Sequence, residues 1–176
     1  MRAKDAITLI VSNSVAPLVK DAQFKKSHFN FHRRLGTVVQ VINIQLSQFN
    51  QADEGSFYVN VAFAFDELRK HENRLILEKP EEYECDMRRR LEHLLSDTPF
   101  IWNVSLESDL DELANGLARR IKKLLEYLNK IDSLSNFLTT ALEEEWFAAP
   151  GEYDLMARMY DAVGKKDAAQ KYRRLF

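Results

Sequence analysis

This 176-residue chain contains one cysteine, five glycines and four prolines, and it has no long hydrophobic run. A single cysteine excludes an intramolecular disulfide framework and a cysteine cluster for a metal, and it favours a reducing compartment. So few glycines and prolines are untypical of low-complexity chains. No apolar stretch approaches the length of a membrane span, and Asp5 interrupts the short apolar start, which excludes a typical secretory signal. We therefore expect a soluble, cytoplasmic protein that does not bind membranes.

The chain also lacks the motifs of common enzyme classes. There is no G-x-S-x-G nucleophile elbow, no phosphate-binding glycine loop and no dinucleotide fingerprint. His71 begins the segment H-E-N-R without a second histidine one turn later, so the zinc-protease pattern is absent. Cys85 lies between Glu84 and Asp86, whose charges disfavour the reactive thiolate. These absences favour a protein without catalytic residues or cofactors, and they leave the question of enzymatic activity open.

What the sequence does contain is 45% hydrophobic residues, enough for a substantial core, and three stretches in which apolar and polar residues alternate. The stretches are His28–Leu35, Thr37–Ser47 and Ser56–Phe65. Alternation of this kind predicts antiparallel strands with one apolar and one polar face. Two further short strands are predicted at Cys85–Leu91 and Phe100–Val104.

A two-residue loop of Leu35 and Gly36 is predicted between the first two strands, because Gly36 can supply the positive φ that such loops need. In that register Arg34 lies opposite Thr37. A shift by one residue would bury the histidines and expose the phenylalanines, so the alternation selects this arrangement of faces. The predicted core on the apolar face comprises Phe29, Phe31, Ile42, Ile44, Leu46, Phe57, Val59, Val61, Phe63 and Phe65.

The polar face of the predicted sheet is the candidate surface for a ligand or partner. If Arg88 and Arg90 lie on a strand, their side chains share one face and would join Arg34 in a patch suited to anions. The alternative is that these arginines pair with neighbouring acidic residues on an ordinary charged surface. The candidate residues are His32, Arg34, Asn43, Gln45, Tyr58, Asn60, Arg88 and Arg90.

His28 and His32 have the spacing of a helical metal-binding pair. On a strand, where each residue advances about 3.3 Å, the two side chains are about 13 Å apart and cannot share one ion. We therefore expect no metal site and interpret both histidines as ordinary residues of the polar face.

The N-terminal and middle segments contain two helical patterns. Residues 5–21 have helical apolar spacing that Pro17 interrupts, so a kink or two separate helices are expected. Residues 108–128 form an amphipathic pattern, and Ser108 is the expected N-cap. Residues 66–84 are charged and weakly periodic, and their structure is not predicted.

The C-terminal part is also predicted to be helical. A helix over 133–147 is expected to end at Pro150-Gly151, and a helix pair follows at 153–163 and 166–175 with a turn at Gly164. A single helix pair cannot bury its own apolar face, so it is expected to dock on the preceding domain or on a partner.

Together these elements predict an α+β fold. It consists of an antiparallel sheet of about five strands with helices packed on one face, followed by a C-terminal helical hairpin. The α+β domain is expected over residues 1–148, and the hairpin is expected over residues 149–176 as an appendage.

Several segments, taken in order, resemble the bacterial family called domain of unknown function 4304. They are VAPLVKDAQFKKSHFNFHRR, VVQVINIQLSQFN, SFYVNVAF, CDMRRRLEHLL and DLDELANGLARRIKKLLEYLNKIDSLSNFL, and the resemblance covers roughly residues 5–142. Two positions depart from the family pattern: Gln23 stands where a glycine is usual, and Ile101 stands where a second tryptophan commonly precedes Trp102. The resemblance implies no established activity. Related small α+β domains often accompany bacterial toxin systems, which suggests by analogy an immunity or adaptor role.

The net charge of −2 is unevenly distributed. Residues 1–47 contain seven Lys or Arg against two Asp or Glu, which leaves a balance of −7 for the remainder. Such asymmetry would steer an anionic partner to the N-terminal part, and the alternative is ordinary surface charge.

Two functional hypotheses are consistent with the sequence. The first is a non-catalytic module that binds another protein through the polar sheet face or the C-terminal hairpin. The second is a module that binds or hydrolyses an anionic ligand, such as nucleic acid or a phosphate compound, through the basic sheet face. The sequence does not predict the oligomeric state.

Overall fold

The alternating stretches form one antiparallel sheet in the computed structural model, which describes residues 2–147 and 150–175. The strands are β1 (Lys25–Ser27), β2 (Asn30–Leu35), β3 (Val38–Leu46), β4 (Glu54–Phe65), β5 (Met87–Arg90) and β6 (Trp102–Ser105). They are ordered β1-β2-β3-β4-β5, and β6 pairs with the first part of β4. The predicted α+β class is therefore confirmed, with the short strand β1 in addition.

The helices are α1 (Ala3–Ile10), α2 (Ala16–Asp21), α3 (Asp66–His71), α4 (Leu110–Leu128), α5 (Leu134–Glu143), α6 (Tyr153–Ala162) and α7 (Lys166–Arg173). Short 3₁₀ turns occur at Glu82–Glu84, Leu91–His93 and Pro150–Glu152. Among the described residues, no helix combines the length and the apolar character needed to cross a membrane.

The loop between β2 and β3 consists of Gly36 and Thr37, and Leu35 pairs with Val38. The predicted register was therefore wrong by two residues, because the loop begins one residue later than expected. Side chains alternate along a strand with a period of two, so a shift of two residues leaves every side chain on its predicted face.

The predicted core of the apolar sheet face is confirmed. Phe29 and Leu46 are half-buried against it, and the other predicted members are buried. The same cluster includes Ile7 and Ile10 of α1 and apolar residues of α4 and α5, so the helices cover this face. Burying this continuous apolar surface is the main stabilising contribution to the fold.

Pro17 divides the N-terminal helical segment, as predicted. A π-helical turn at Val11–Val15 separates α1 from α2, and Pro17 lies at the start of α2. Proline has no N–H group to donate, so the regular α-helical hydrogen bonding cannot continue through it. Gln23 follows α2 with a φ of +66°, a left-handed conformation that glycine adopts more readily.

Two predicted helix ends were wrong. Asp109, not Ser108, is the N-cap of α4, and its carboxylate accepts hydrogen bonds from the first-turn N–H groups of Asp111 and Glu112. Helix α5 ends at Glu143, before Pro150-Gly151, since Glu145 turns the chain with a φ of +55°. Ala148 and Ala149, which the predicted domain boundary separates, lie outside the described residues.

The C-terminal helical hairpin forms as predicted and turns at Gly164, which has a φ of +74°. Its apolar residues Met156, Met159, Tyr160 and Ala169 are buried in the same cluster as the sheet. The hairpin therefore shares the core of the α+β domain.

Candidate functional site

The second face of the sheet is partly covered by residues 74–86, which we call the cover segment. Leu77 and Cys85 of this segment pack on the small apolar side chains Val39, Val41, Ala62 and Ala64. The face that the alternation predicts to be polar therefore has an apolar half near the β2–β3 loop. Only those residues of this face that the cover segment leaves accessible remain candidates for ligand binding.

A buried ion pair holds the cover segment in place. The Asp86 carboxylate is 1% exposed; it accepts the Phe65 N–H at 2.9 Å and Arg69 Nε at 3.1 Å, and Arg74 Nη2 lies 2.7 Å away. Arg69 also donates to the carbonyl oxygens of Leu75 and Glu84. One guanidinium thus holds both ends of the cover segment against the sheet.

The thiol of Cys85 is half-buried and stays protonated at ordinary pH. Burial, followed by the charge of the adjacent Asp86, raises the pKa of its thiol to about 12. The thiolate is the nucleophilic form, so this cysteine is not suited to act as a nucleophile. No three His, Cys, Asp or Glu side chains meet as a metal site in residues 2–147 and 150–175.

Four amide side chains form a hydrogen-bonded row across three strands, which we call the amide ladder (Asn30, Asn43, Gln45 and Asn60). Asn43 donates to Asn30 at 2.7 Å, and Asn60 donates to Asn43 at 3.0 Å and to Gln45 at 2.9 Å. Asn30 in turn donates to Glu81 of the cover segment. The ladder is therefore bonded to other protein groups, while Asn60 Oδ1 is buried without a hydrogen-bond partner.

Next to the ladder lies a group that we call the arginine–aromatic cluster (Tyr58, Arg90 and Phe100). The Arg90 guanidinium lies 4.0 Å from the Tyr58 ring centre and 5.0 Å from that of Phe100, and the two rings contact each other edge to face. Phe100 is 61% exposed. The cluster contains a cation with an accessible aromatic surface beside it.

The three arginines that were predicted to form one basic patch do not converge. Arg34 on β2 bonds to Asp66 and to the Leu77 carbonyl. Arg88 on β5 pairs with Glu82. Strands β2 and β5 are separated by three strand spacings, or about 14 Å.

Seven of the eight predicted residues instead divide between two places, and Arg88, paired with Glu82, belongs to neither. Asn43, Gln45, Tyr58, Asn60 and Arg90 come together as the ladder and the cluster. His32 and Arg34 line a separate groove between the β1–β2 hairpin and the cover segment, which we call the basic groove. Its volume is about 540 Å³, and it is lined by Gln23, Lys25, His32, Arg33, Arg34, Ile76, Glu78 and Lys79.

Arg33 is the most deeply buried cation of the basic groove, at 9% exposure. It donates from Nε to Gln40 at 2.9 Å and from Nη1 to the Ala22 carbonyl at 2.9 Å, while its guanidinium stacks 4.6 Å from the Phe24 ring centre. Its Nη2 has no hydrogen-bond partner, and no carboxylate neutralises it among the described residues. Burial lowers the pKa of this guanidinium.

His32 lies beside the two lysines of the groove. Burial lowers the pKa of its imidazole, and the positive charges of Lys79 and Lys25 lower it further, against an opposing effect of Glu81. Its Nε2 is buried without a hydrogen-bond partner. Both effects favour the neutral form of the imidazole.

A larger cavity of about 810 Å³ lies at the start of α4. Arg120 lines it, but this guanidinium already donates to the Asp97 and Gly116 carbonyls and stacks on Trp102. The cavity contains none of the residues predicted from the sequence.

The sequence interpretation missed Arg33, Lys25, Lys79 and Phe100. A signal existed for Arg33, which alternates with Phe29 and Phe31 on the apolar face. Lys79 and Phe100 gave no such signal, because they lie in irregular segments that approach the sheet only in the folded chain.

Comparison with known proteins yields one match. No curated protein and no solved structure matches this chain. The model of the family described as Domain of unknown function (DUF4304) matches residues 15–149, which is most of the chain and includes β1 to β6 with α4 and α5. The chain therefore belongs to the DUF4304 family.

Proposed function

We propose that this domain is a non-catalytic protein-interaction module whose partner docks on the arginine–aromatic cluster. The observation that carries this proposal is the position of Arg90, between Tyr58 and the exposed ring of Phe100. Arginine and aromatic residues are enriched among the side chains that dominate the binding energy of protein interfaces.

The contacts of Arg90 with the two rings leave its hydrogen-bonding groups available. The guanidinium carbon lies over both rings, and this contact uses the positive charge of the group rather than its N–H donors. No hydrogen bond or ion pair of this guanidinium is present within the described residues. The rings thus restrict the orientation of a planar donor that a carboxylate can bind with two hydrogen bonds.

The expected partner segment contains an acidic residue beside an apolar one. The carboxylate would pair with Arg90, and the apolar side chain would cover the exposed face of Phe100. A protein is favoured over nucleic acid because residues 48–176 carry a charge of −7, which repels a polyanion, and Glu82 neutralises the nearby Arg88. An adaptor or immunity role in the cytoplasm is the biological setting that we propose for such docking.

The test compares three variants in quantitative affinity capture from cells that encode this chain. Arg90→Ala and Phe100→Ser should each reduce recovery of the same partner by about tenfold or more, since hot-spot residues contribute at least about 2 kcal/mol. Phe49→Ser is the matched control, because Phe49 is 80% exposed and lies outside the cluster.

Equal recovery with all three variants would contradict the proposed docking surface. Specific recovery of nucleic acid instead of protein would contradict the proposed class of partner.

A further inference from the structure

Gln45 lies beside the arginine–aromatic cluster, on the same face of the sheet. It stands on β3 directly opposite Tyr58 of β4, so the Cβ atoms of the two residues are about 5 Å apart. Arg90 approaches the same tyrosine ring from β5, on the other side of β4. Gln45 is exposed. A partner that docks on the cluster therefore also meets the amide group of Gln45.

The amide ladder has a direction that is set at its far end by a carboxylate. A carboxylate only accepts hydrogen bonds, so the Asn30 amide turns its NH₂ group toward Glu81. The Asn30 oxygen consequently faces Asn43 and accepts its N–H at 2.7 Å. The Asn43 oxygen in turn accepts an N–H of Asn60 at 3.0 Å. Each amide thus determines which of its two ends the next amide presents.

Asn60 carries this direction on to Gln45. Its side chain is fully buried, and its NH₂ group donates both to Asn43 and, at 2.9 Å, to Gln45 Oε1. The Asn60 oxygen has no hydrogen-bond partner. Reversing this amide would place its oxygen against the oxygens of Asn43 and Gln45 and would lose both hydrogen bonds. The ladder therefore holds Asn60 in an orientation that leaves its own oxygen unpartnered.

The consequence at the surface is that Gln45 presents a donor and not an acceptor. Its oxygen is turned toward Asn60, so its NH₂ group lies on the opposite side of the amide and forms no hydrogen bond with the described residues. Reversing the Gln45 amide would set its NH₂ group against that of Asn60 and would lose the bond between them. The exposed donor beside Tyr58 is thus oriented before any partner arrives.

We propose that Gln45 is a specificity-determining residue of the docking surface and selects an extended acidic segment with an oxygen acceptor on a second side chain. The inference rests on the proposed docking at Arg90. Gln45 and Arg90 stand two strand spacings apart, or about 10 Å. An extended peptide advances about 3.3 Å per residue, so the acceptor is expected about three residues from the carboxylate that binds Arg90. A lysine or arginine at that place would face the Gln45 NH₂ group, donor against donor, and would be rejected.

Gln45→Glu tests this role without removing the ladder. The substituted side chain keeps an oxygen that accepts the Asn60 N–H, and it replaces the outward NH₂ group with a carboxylate oxygen. In the affinity capture described above, recovery of the partner should fall by at least about tenfold, because a negative charge then faces the acceptor of an acidic segment. Gln48→Glu is the matched control, since it makes the same change at an exposed position of the β3–β4 loop and should leave recovery unchanged.

A displayed library of random peptides tests the chemistry of the partner directly. The wild type should enrich peptides with an aspartate or glutamate and an oxygen-bearing side chain about three residues away, whereas Gln45→Glu should enrich lysine or arginine at that second position. The same enrichment by both proteins would overturn the role of Gln45 and leave docking at Arg90 intact. If the wild type and Arg90→Ala enriched the same peptides, the proposed docking surface would be contradicted together with this inference.

The orientation of the ladder is tested without any partner by hydrogen exchange of the side-chain amides, followed by NMR. The Asn60 NH₂ protons should exchange slowly, because both are donated at a buried position, and those of Gln45 should exchange fast. Slow exchange at Gln45 with fast exchange at Asn60 would overturn the fixed donor. Equal losses of recovery in Gln45→Glu and Gln48→Glu would show a general effect of charge and would overturn the selective role of Gln45.

Discussion

Asp86 is the residue on which the position of the cover segment depends most. Its side chain is 1% exposed and is contacted by a backbone N–H group and two guanidinium groups. Removing one partner of a buried ion pair is much more destabilising than the pair itself is stabilising, since the other charge remains buried. The pair can therefore be tested by truncating one member.

Arg69→Met should lower the free energy of unfolding by about 3–5 kcal/mol, because it leaves the Asp86 carboxylate buried with only the half-exposed Arg74 as a counter-ion. The measurement is urea denaturation followed by circular dichroism. The control is Arg173→Met, which removes an exposed pair with Asp161 and should cost at most about 1 kcal/mol. Equal costs for the two variants would show that the Arg69–Asp86 pair does not anchor the segment.

At the residue scale, Arg33 and Gln40 indicate the register of the β2–β3 hairpin. Both residues alternate onto the apolar face, where a lone polar side chain is unfavourable. Pairing them across the hairpin would have given the observed register, because they lie directly opposite each other and Arg33 donates to Gln40. Gln40 also donates to the Leu128 and Ile131 carbonyls at the end of α4, a long-range contact that no local pattern indicates.

At the scale of elements, the β2–β3 hairpin is held by its tip as well as by its strands. Gly36 has a φ of +56°, and a Cβ atom at this position would lie 2.1 Å from the Asp132 carbonyl oxygen. The adjacent Thr37 N–H donates to that same oxygen at 2.8 Å. The tip is thereby fixed to the connection between α4 and α5.

Gly36→Ala should therefore lower the free energy of unfolding by more than backbone strain alone would. A left-handed conformation costs a non-glycine residue about 1–2 kcal/mol, and the overlap with Asp132 adds to this cost because the backbone must move. Gly164→Ala is the matched control: its φ is +74°, but nothing lies within 4 Å of the added Cβ. Urea denaturation should show the larger loss for Gly36→Ala, and equal losses would contradict the close approach.

The elements also differ in how far the sequence could predict them. The faces of β2, β3 and β4 were predictable, because the period of two survives an error in register. The position of the cover segment was not predictable, because it depends on the Arg69–Asp86 contact and not on periodicity. The candidate site was predicted in part: Tyr58 and Arg90 were found from alternation, but their neighbour Phe100 comes from a loop before β6.

At the scale of the whole molecule, the C-terminal hairpin and the α+β domain share one core. Met156, Met159 and Tyr160 belong to the cluster that contains Phe63 and Phe65 of β4. Arg158 on the hairpin pairs with Glu72, which follows α3, and Arg89 on β5 contacts Glu152 just before α6. A shared core of this kind predicts a single cooperative unfolding transition rather than separate melting of an appendage.

Met159→Ala tests this cooperativity. It should lower the free energy of unfolding of the whole chain by about 2–5 kcal/mol, since Met159 is fully buried and its truncation leaves a cavity. In a Trp146→Phe background, Trp102 of β6 becomes the only tryptophan and reports on the sheet, far from the substitution in sequence. The midpoints from Trp102 fluorescence and from circular dichroism should shift together.

Leu175→Ala in the same hairpin is the control and should change stability by less than about 0.5 kcal/mol, because Leu175 is exposed. If the Trp102 midpoint stayed constant while the circular dichroism transition split, the hairpin would be an independently unfolding unit, and the shared apolar cluster would not couple it to the sheet.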